Sequence, residues 1–283
     1  WDICDNFYTI TETNFEKLGD VLEEWTRSVP TESDDVVIDA QDALIEAGMV
    51  QYKEAGWDFK LHEANPAAPK AQFKLMIREA DGVDTSPAYY HRFVLPSVLQ
   101  AINDGRLEDV RYVLGYPNAG TPIAAAFVHL ANIHIGLDLR QITQNKINNP
   151  DGTRELGEIN KQDTEGELVQ EGALTEAIDD TATGGQTKVE GWRKISASNL
   201  SYSGLSLIVE RDPLGSELVR QLTGARVSAS MHWLGVVGRA ATVLDLPKDA
   251  VQREMDYALR LFEWNVANKK TANLPDPDLI IAS

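Results

Sequence analysis

The run Ile178-Asp179-Asp180-Thr181-Ala182-Thr183-Gly184-Gly185-Gln186-Thr187 concentrates chemistry as no other stretch of this 283-residue chain does. Two acids close a segment that reads as a strand, a Thr/Gly turn follows, and then come residues able to start a helix. That order suits a phosphorylated sugar. Backbone N–H groups and hydroxyls of the turn can wrap a phosphate, and the following helix N-terminus adds a favourable dipole. The carboxylates would then face sugar hydroxyls, or a metal ion held by a pyrophosphate. It is not a Walker loop, because Gly184 and Gly185 are adjacent and no Gly-Lys-Ser/Thr follows. An acid pair before a Gly turn also occurs in ordinary loops and calcium sites, and the run alone leaves those readings open.

The elements that must position this run follow from periodicity. Thr13 and Glu16 make a capping-box pattern, and Leu18, Val21, Leu22 and Trp25 form one apolar helical face. A second helix is expected from about residue 35 to Gly48, and residues 59–61 and 73–75 are strand-like. From about residue 94 the chain alternates helix and strand: a helix over 94–103, strands over 110–114 and 133–139, a helix over 121–131 between them, then a strand over 205–210 and a helix over 215–222. This is the rhythm of a parallel sheet covered on both faces. Residues 148–171 are polar and rich in breakers, and read as a mobile loop. A last helix is expected over 248–266. Three segments result: 1–93, N-terminal helices with a hood or hairpin; 94–240, an α/β core; 241–283, a C-terminal helix and tail. One local conflict stands out. Glu176 interrupts the segment before the acid pair, where the motif needs a buried strand; we expect the strand nonetheless.

Composition bounds the function. Hydrophobic content of 43% and charged content of 25% are those of an ordinary globular protein. No apolar run approaches the roughly 20 residues of a membrane span, so no membrane is expected as partner. Cys4 is the single cysteine, which excludes an internal disulfide and fits the cytoplasm. A net charge of −18 repels nucleic acid. The same field repels anionic small molecules, so an anion site must rely on local Arg, Lys, N–H groups and magnesium. Of the five histidines, His129 and His134 are five positions apart, a poor spacing for a shared metal face, and His62, His91 and His232 show no partner pattern. All five are read as structural.

Three further motifs flank the acidic run. Phe73-Lys74-Leu75 leads, past Asp81-Gly82, to Ser86-Pro87-Ala88-Tyr89-Tyr90. Gly115-Tyr116-Pro117-Asn118-Ala119-Gly120-Thr121-Pro122-Ile123-Ala124 joins a strand end to a helix start. Val209-Glu210-Arg211-Asp212 closes a later strand. Plain readings exist for each: aromatic core residues, a Gly/Pro turn, and an Arg paired with a neighbouring acid. In this order, however, the four motifs resemble orotate phosphoribosyltransferase, a type I phosphoribosyltransferase. The acidic run is similar to that family's loop for phosphoribosyl pyrophosphate (PRPP), and the resemblance covers roughly residues 36–236.

The resemblance implies an α/β fold, the type I phosphoribosyltransferase fold, with a central parallel sheet flanked by helices, an N-terminal hood and extra helical extensions. It implies that orotate and PRPP give orotidine 5′-monophosphate and pyrophosphate, with Mg²⁺ held mainly by PRPP, in a cytoplasmic homodimer. Thr183, Gly184, Gly185, Gln186 and Thr187 would hold the 5′-phosphate, and Asn118, Ala119 and Gly120 the pyrophosphate. Asp179 and Asp180 would hold the ribose hydroxyls, with Asp180 assisting proton balance. Tyr89, Tyr90 and Arg211 would bind the base, and Arg140 and Lys146 would cover the pyrophosphate. Transfer through an oxocarbenium-like centre rests on positioning and charge stabilisation. The chain departs from the family in its catalytic loop, where both lysines are Gln141 and Gln144, and Lys146 or Lys161 would have to replace them. Met76 stands where the family has a lysine after Phe-x-Leu; Lys74 or Arg78 would substitute. A phosphoribosyltransferase for another base, and a non-catalytic PRPP or nucleotide binder, remain the alternatives.

Overall fold

The computed structural model describes residues 12–27, 34–58, 65–77, 82–148, 154–182 and 185–267. Cys4, His62, Arg78, Thr183, Gly184 and the strand-like run 59–61 lie outside them. The N-terminal part begins with α1 (Glu12–Arg27) and α2 (Asp35–Glu46). Asp34 caps α2 by accepting from the Val36 N–H at 2.9 Å, and Asp35 adds a favourable charge to its first turn. Strands β1 (Val50–Tyr52) and β2 (Phe73–Leu75) pair antiparallel. The partner of 73–75 is thus Val50–Tyr52. Helix α3 (Pro87–Asn103) follows, with Pro87 in its first turn, where a missing N–H costs nothing.

Next come β3 (Val110–Gly115), α4 (Gly120–Ile135), β4 (Arg140–Ile142), β5 (Gln144–Asn148), β6 (Arg154–Ile159), β7 (Leu174–Asp179), α5 (Gln186–Ala197), β8 (Ser201–Glu210), α6 (Pro213–Thr223) and β9 (Arg226–His232). Helices α7 (Trp233–Val243) and α8 (Ala250–Ala267) complete the described chain. Five strands form one parallel sheet in the order β4-β3-β7-β8-β9. The β5–β6 hairpin is a separate antiparallel pair that packs on α5.

Two apolar cores sandwich the sheet. On one face Val113, Ile178, Ile208 and Met231 pack with Ile123 and Phe127 of α4, Phe93 of α3 and Leu44 of α2. On the other, Tyr112, Leu114, Ala177, Leu205 and Leu207 meet Val189 and Ile195 of α5, Val219 of α6, and Leu156 and Ile159 of β6. The first core also takes in Leu18 and Phe262, so all three expected segments contribute to it, and α3 runs unbroken through residue 93.

The Glu176 conflict has a physical resolution. The strand forms, and Glu176 is fully buried in it, accepting from the Arg106 guanidinium at 2.7 Å and from the Ser206 hydroxyl at 2.8 Å. Burial raises its pKa, and Arg106 pulls it back. Gly204 of the neighbouring strand leaves room, since a Cβ there would lie 3.2 Å from Glu176 Oε2.

Three expectations change. The strand expected over 133–139 is helix as far as Ile135. Gly136 ends that helix at φ +65°, and the Asn132 side chain bonds both the N–H and the carbonyl of Leu139 before β4 starts. The β-branched residues Ile133 and Ile135 are exposed on the helix. The stretch 148–171 contains β6, whose buried Leu156 and Ile159 alternate with exposed Glu155 and Glu158; its polarity belongs to a half-buried edge. Tyr89 and Tyr90 sit in the first turns of α3, which begins seven residues before the expected helix start. Strand β9 and helix α7 had no clear sequence signal.

Breaking the Arg106–Glu176 pair leaves an uncompensated buried charge. Arg106→Met is expected to lower the unfolding free energy by about 3–5 kcal/mol in urea titrations, whereas Arg106→Met with Glu176→Leu recovers most of the loss. If the double variant is no more stable than the single one, the pair is not what couples these positions.

Candidate active site

The chain leaves β3 toward β4 on one side and β7 toward β8 on the other, so the carboxyl ends of β3 and β7 flank the point where the winding reverses. A crevice at such a point is where open α/β sheets take ligands. Here the β3–α4 turn is drawn tightly against β7. The Tyr116 N–H donates to the Ile178 carbonyl at 3.1 Å, and the Gly120 N–H to the Tyr116 carbonyl at 2.8 Å. Glycine is required at both ends of this turn. A Cβ on Gly115 would lie 2.0 Å from the Gly120 carbonyl oxygen, and one on Gly120 would lie 2.6 Å from that of Ile178. The Pro117–Asn118 peptide bond within the turn is cis. On the other side Gly185 precedes α5 at φ +69°, and a Cβ there would lie 2.7 Å from the Gly215 carbonyl oxygen.

The crevice opens as a cleft. Asp179 and Asp180 come from the end of β7, Pro117, Asn118 and Ala119 from the β3–α4 turn, and Thr187 and Lys188 from the first turn of α5. Residues 74–77 of the hood close one side, and Lys146 reaches in from β5. Asp179 is buried, and its carboxylate is held by the Lys188 ammonium in a short, direct ion pair. Its other oxygen accepts from the Asp180 N–H at 2.9 Å, and Asp180 accepts from the Thr181 N–H at 2.7 Å. Burial lifts the Asp179 pKa to about 7, Lys188 opposes that rise and Asp180 adds to it. Lys188 lies 5.8 Å from the centre of the Tyr116 ring. Gly191, one turn farther along α5, makes room for that ring: a Cβ there would come within 2.1 Å of it.

Solved structures of similar fold can be named. UMP synthase from Leishmania donovani superposes with a TM-score of 0.56 at 18% sequence identity, over 80% of this chain and 42% of that one. Orotate phosphoribosyltransferase from Francisella tularensis superposes with a TM-score of 0.51 at 13% identity, over 76% of this chain and 95% of that one. The chain has the type I phosphoribosyltransferase fold. No family model and no curated protein sequence matches it. This chain spans less than half the length of the UMP synthase that it resembles.

Within this phosphoribosyltransferase fold, most residues expected for the sugar and pyrophosphate do converge. Asp179, Asp180, Asn118, Ala119, Thr187 and Lys146 line one cleft. Gly120 and Gly185 shape its walls, and Gln186 opens α5. Tyr90 is buried against Phe93, ring centres 4.9 Å apart, and its hydroxyl is pushed up to about 12 by burial and by the charge of Asp180. Other expected residues are placed elsewhere. Arg140 is turned to Asp163 at 3.2 Å and Glu165 at 3.5 Å, near the start of β4, and does not line the cleft. Tyr89 is half-buried beneath the Arg92 guanidinium, 5.9 Å from its ring centre. Arg211 stacks on Trp233 at 5.0 Å and reaches the Phe73 carbonyl at 3.4 Å.

Gln141 and Gln144, which stand where the family carries lysines, are buried. Gln141 donates to the Thr121 carbonyl at 2.8 Å and Gln144 to the Gly157 carbonyl at 2.7 Å. Lys161 is exposed and does not line the cleft. Lys74, considered only as a stand-in for Met76, lines the cleft and lies 4.9 Å from the Trp57 ring centre. Lys188 went unrecognised as a site residue. Its signal was a lysine in the first turn of a helix, where the dipole disfavours a cation, soon after a strand-end acid.

The raised pKa of Asp179 fixes a sign. Between its ordinary value of 3.8 and about 7 the unfolded chain has released this proton while the folded chain keeps it. Stability therefore falls as pH rises through that window and levels off above it. Urea titrations at pH 5 and pH 8 should show the native chain losing on the order of 1–3 kcal/mol more than Asp179→Asn over that interval. An equal loss in both would show that Asp179 is charged throughout.

Proposed function

We propose that this chain is a phosphoribosyltransferase that joins orotate to PRPP, giving orotidine 5′-monophosphate and pyrophosphate. One observation carries the reading: the acid pair, the first turn of α5 and the glycine-bounded β3–α4 turn meet in a single cleft at the switch point of the sheet. Each part has a role by its chemistry. Residues 183–187, with the N-terminus of α5, hold the 5′-phosphate. Asp180, at the cleft surface, accepts hydrogen bonds from the ribose hydroxyls and assists the proton balance at the base. Asn118 and Ala119 hold the pyrophosphate, and Lys146 covers it from the hairpin.

Magnesium enters with the substrate, bound to the pyrophosphate of PRPP. Among the described residues no three His, Cys, Asp or Glu side chains form a metal site. The cleft's carboxylates number two, and Asp179 is already paired with Lys188. This donor set fits an ion that brings most of its ligands with it. A homodimer in the cytoplasm belongs to the same proposal.

A second reading, transfer to another base, is favoured by Arg211. A guanidinium is the natural partner of the orotate carboxylate, yet here it is stacked on Trp233. The test follows orotate absorbance on adding PRPP and Mg²⁺, with purine bases assayed in parallel. Orotate consumption is expected, lowered on the order of 10²-fold or more in Asp180→Asn. Consumption of a purine instead would move the reading to another base. PRPP binding without turnover of any base would leave a non-catalytic binder.

A further inference from the structure

Pyrophosphate leaving an anomeric carbon needs cations, and three of the sequence positions where they are expected, Arg140, Gln141 and Gln144, do not supply them. Gln141 and Gln144 are neutral, buried and engaged with backbone carbonyls, and Arg140 is engaged with Asp163 and Glu165. The cleft nevertheless contains three lysines, Lys74, Lys146 and Lys188. Lys74 and Lys146 are partly exposed on the hood strand and the hairpin. Lys188 differs from both. It is 8% exposed, its ammonium is fixed by Asp179, and it borders the cleft with Asn118 and Ala119.

The position is unfavourable for a lysine that has only a structural role. It lies in the first turn of α5, where the helix dipole repels a cation, and that turn carries no acid of its own. Burial adds a desolvation cost that a single carboxylate offsets only in part. A cation placed at a positive helix end is explained once a polyanion occupies the cleft beside it.

We propose that Lys188 is a catalytic residue of this chain, supplying the ammonium that stabilises the departing pyrophosphate in place of loop lysines. The inference rests on the phosphoribosyl-transfer reading and deepens it. In the step, the bond from the anomeric carbon to the pyrophosphate oxygen breaks, and the electron pair leaves with magnesium pyrophosphate. The base nitrogen bonds to the same carbon, and its proton passes to solvent. Lys188 donates a hydrogen bond to the leaving oxygens. Asp179 holds the ammonium at the cleft wall before substrate arrives, so little reorganisation is needed during the reaction.

The test splits the cleft with two probes, magnesium pyrophosphate and ribose 5-phosphate, titrated calorimetrically into the full chain. Lys188→Gln is expected to weaken magnesium pyrophosphate about tenfold or more and to leave ribose 5-phosphate within about twofold, with kcat reduced roughly 10²–10³-fold. Lys188→Arg should keep most of the pyrophosphate affinity. Asp179→Asn provides a second variant should Lys188→Gln fail to fold. It keeps the ammonium, so magnesium pyrophosphate binding should persist. Equal loss of both probes in Lys188→Gln, no loss of either, or loss of pyrophosphate binding in Asp179→Asn would overturn the proposal. Lys188-dependent pyrophosphate binding in a chain that consumes no orotate would uphold Lys188 and refute the orotate reading.

Discussion

Two carboxylates buried in the central strand organise this molecule. Glu176 and Asp179 both lie on β7, three residues apart, and each is neutralised by one cation from elsewhere in the chain. Arg106 arrives from the loop between α3 and β3, and Lys188 from the first turn of α5. Surface ion pairs of the kind seen between Arg253 and Asp249 contribute little. Buried pairs are different, because removing either partner strands a charge in a medium that solvates it poorly. The two pairs therefore tie β7, in its middle and at its carboxyl end, to other parts of the chain. At the carboxyl end the same pairing leaves charged groups bordering a cleft, so the feature that secures the strand also equips the site.

That arrangement explains what the sequence revealed and what it hid. Strands with mainly apolar runs, such as Val110–Gly115, and helices bounded by recognisable caps, such as α2 and α6, were legible because the local signal agrees with the tertiary environment. Asp212 and Pro213 open α6 and Gly224 closes it, all visible in order. Glu176 was legible only as an anomaly, since nothing near it in sequence announces Arg106, seventy residues earlier. Strand β6 was hidden by composition: one of its faces is solvated, and its buried residues are few. Strand β9 was hidden by its small polar residues, because Ser228 and Ser230 carry no apolar pattern. The 133–139 error has a simpler cause, since β-branched residues suggest a strand even when they stand exposed at the end of a helix.

The candidate site divides along the same line. Its backbone features depend on glycine geometry, which sequence states directly; Gly115, Gly120 and Gly185 are where the turns need them. Its charges depend on which side chains the fold turns inward. Arg140 looked like a site cation and is committed to Asp163, whereas Lys188 went unrecognised and borders the cleft. With a net charge of −18, every cation that the fold brings to an anion site works against the global field. A fixed, prepaired lysine resists that field better than a lysine on an exposed segment, because its position is set before the ligand arrives.

The surroundings of Arg211 are set in part by the C-terminal helix. Trp233 donates to Glu254 of α8 at 2.9 Å, and Glu254 is buried, with its pKa raised by desolvation and drawn back chiefly by Arg211. Arg211 therefore sits between an aromatic face and a buried carboxylate, a cation–π contact on one side and a charge partner on the other. On the orotate reading, Arg211 would have to exchange part of these surroundings for the carboxylate of the base. An uncharged base would make no such demand, and a carboxylate-bearing base must offer Arg211 a bidentate contact strong enough to compete with Glu254. On the orotate reading proposed above, base selection would be a competition for this one guanidinium.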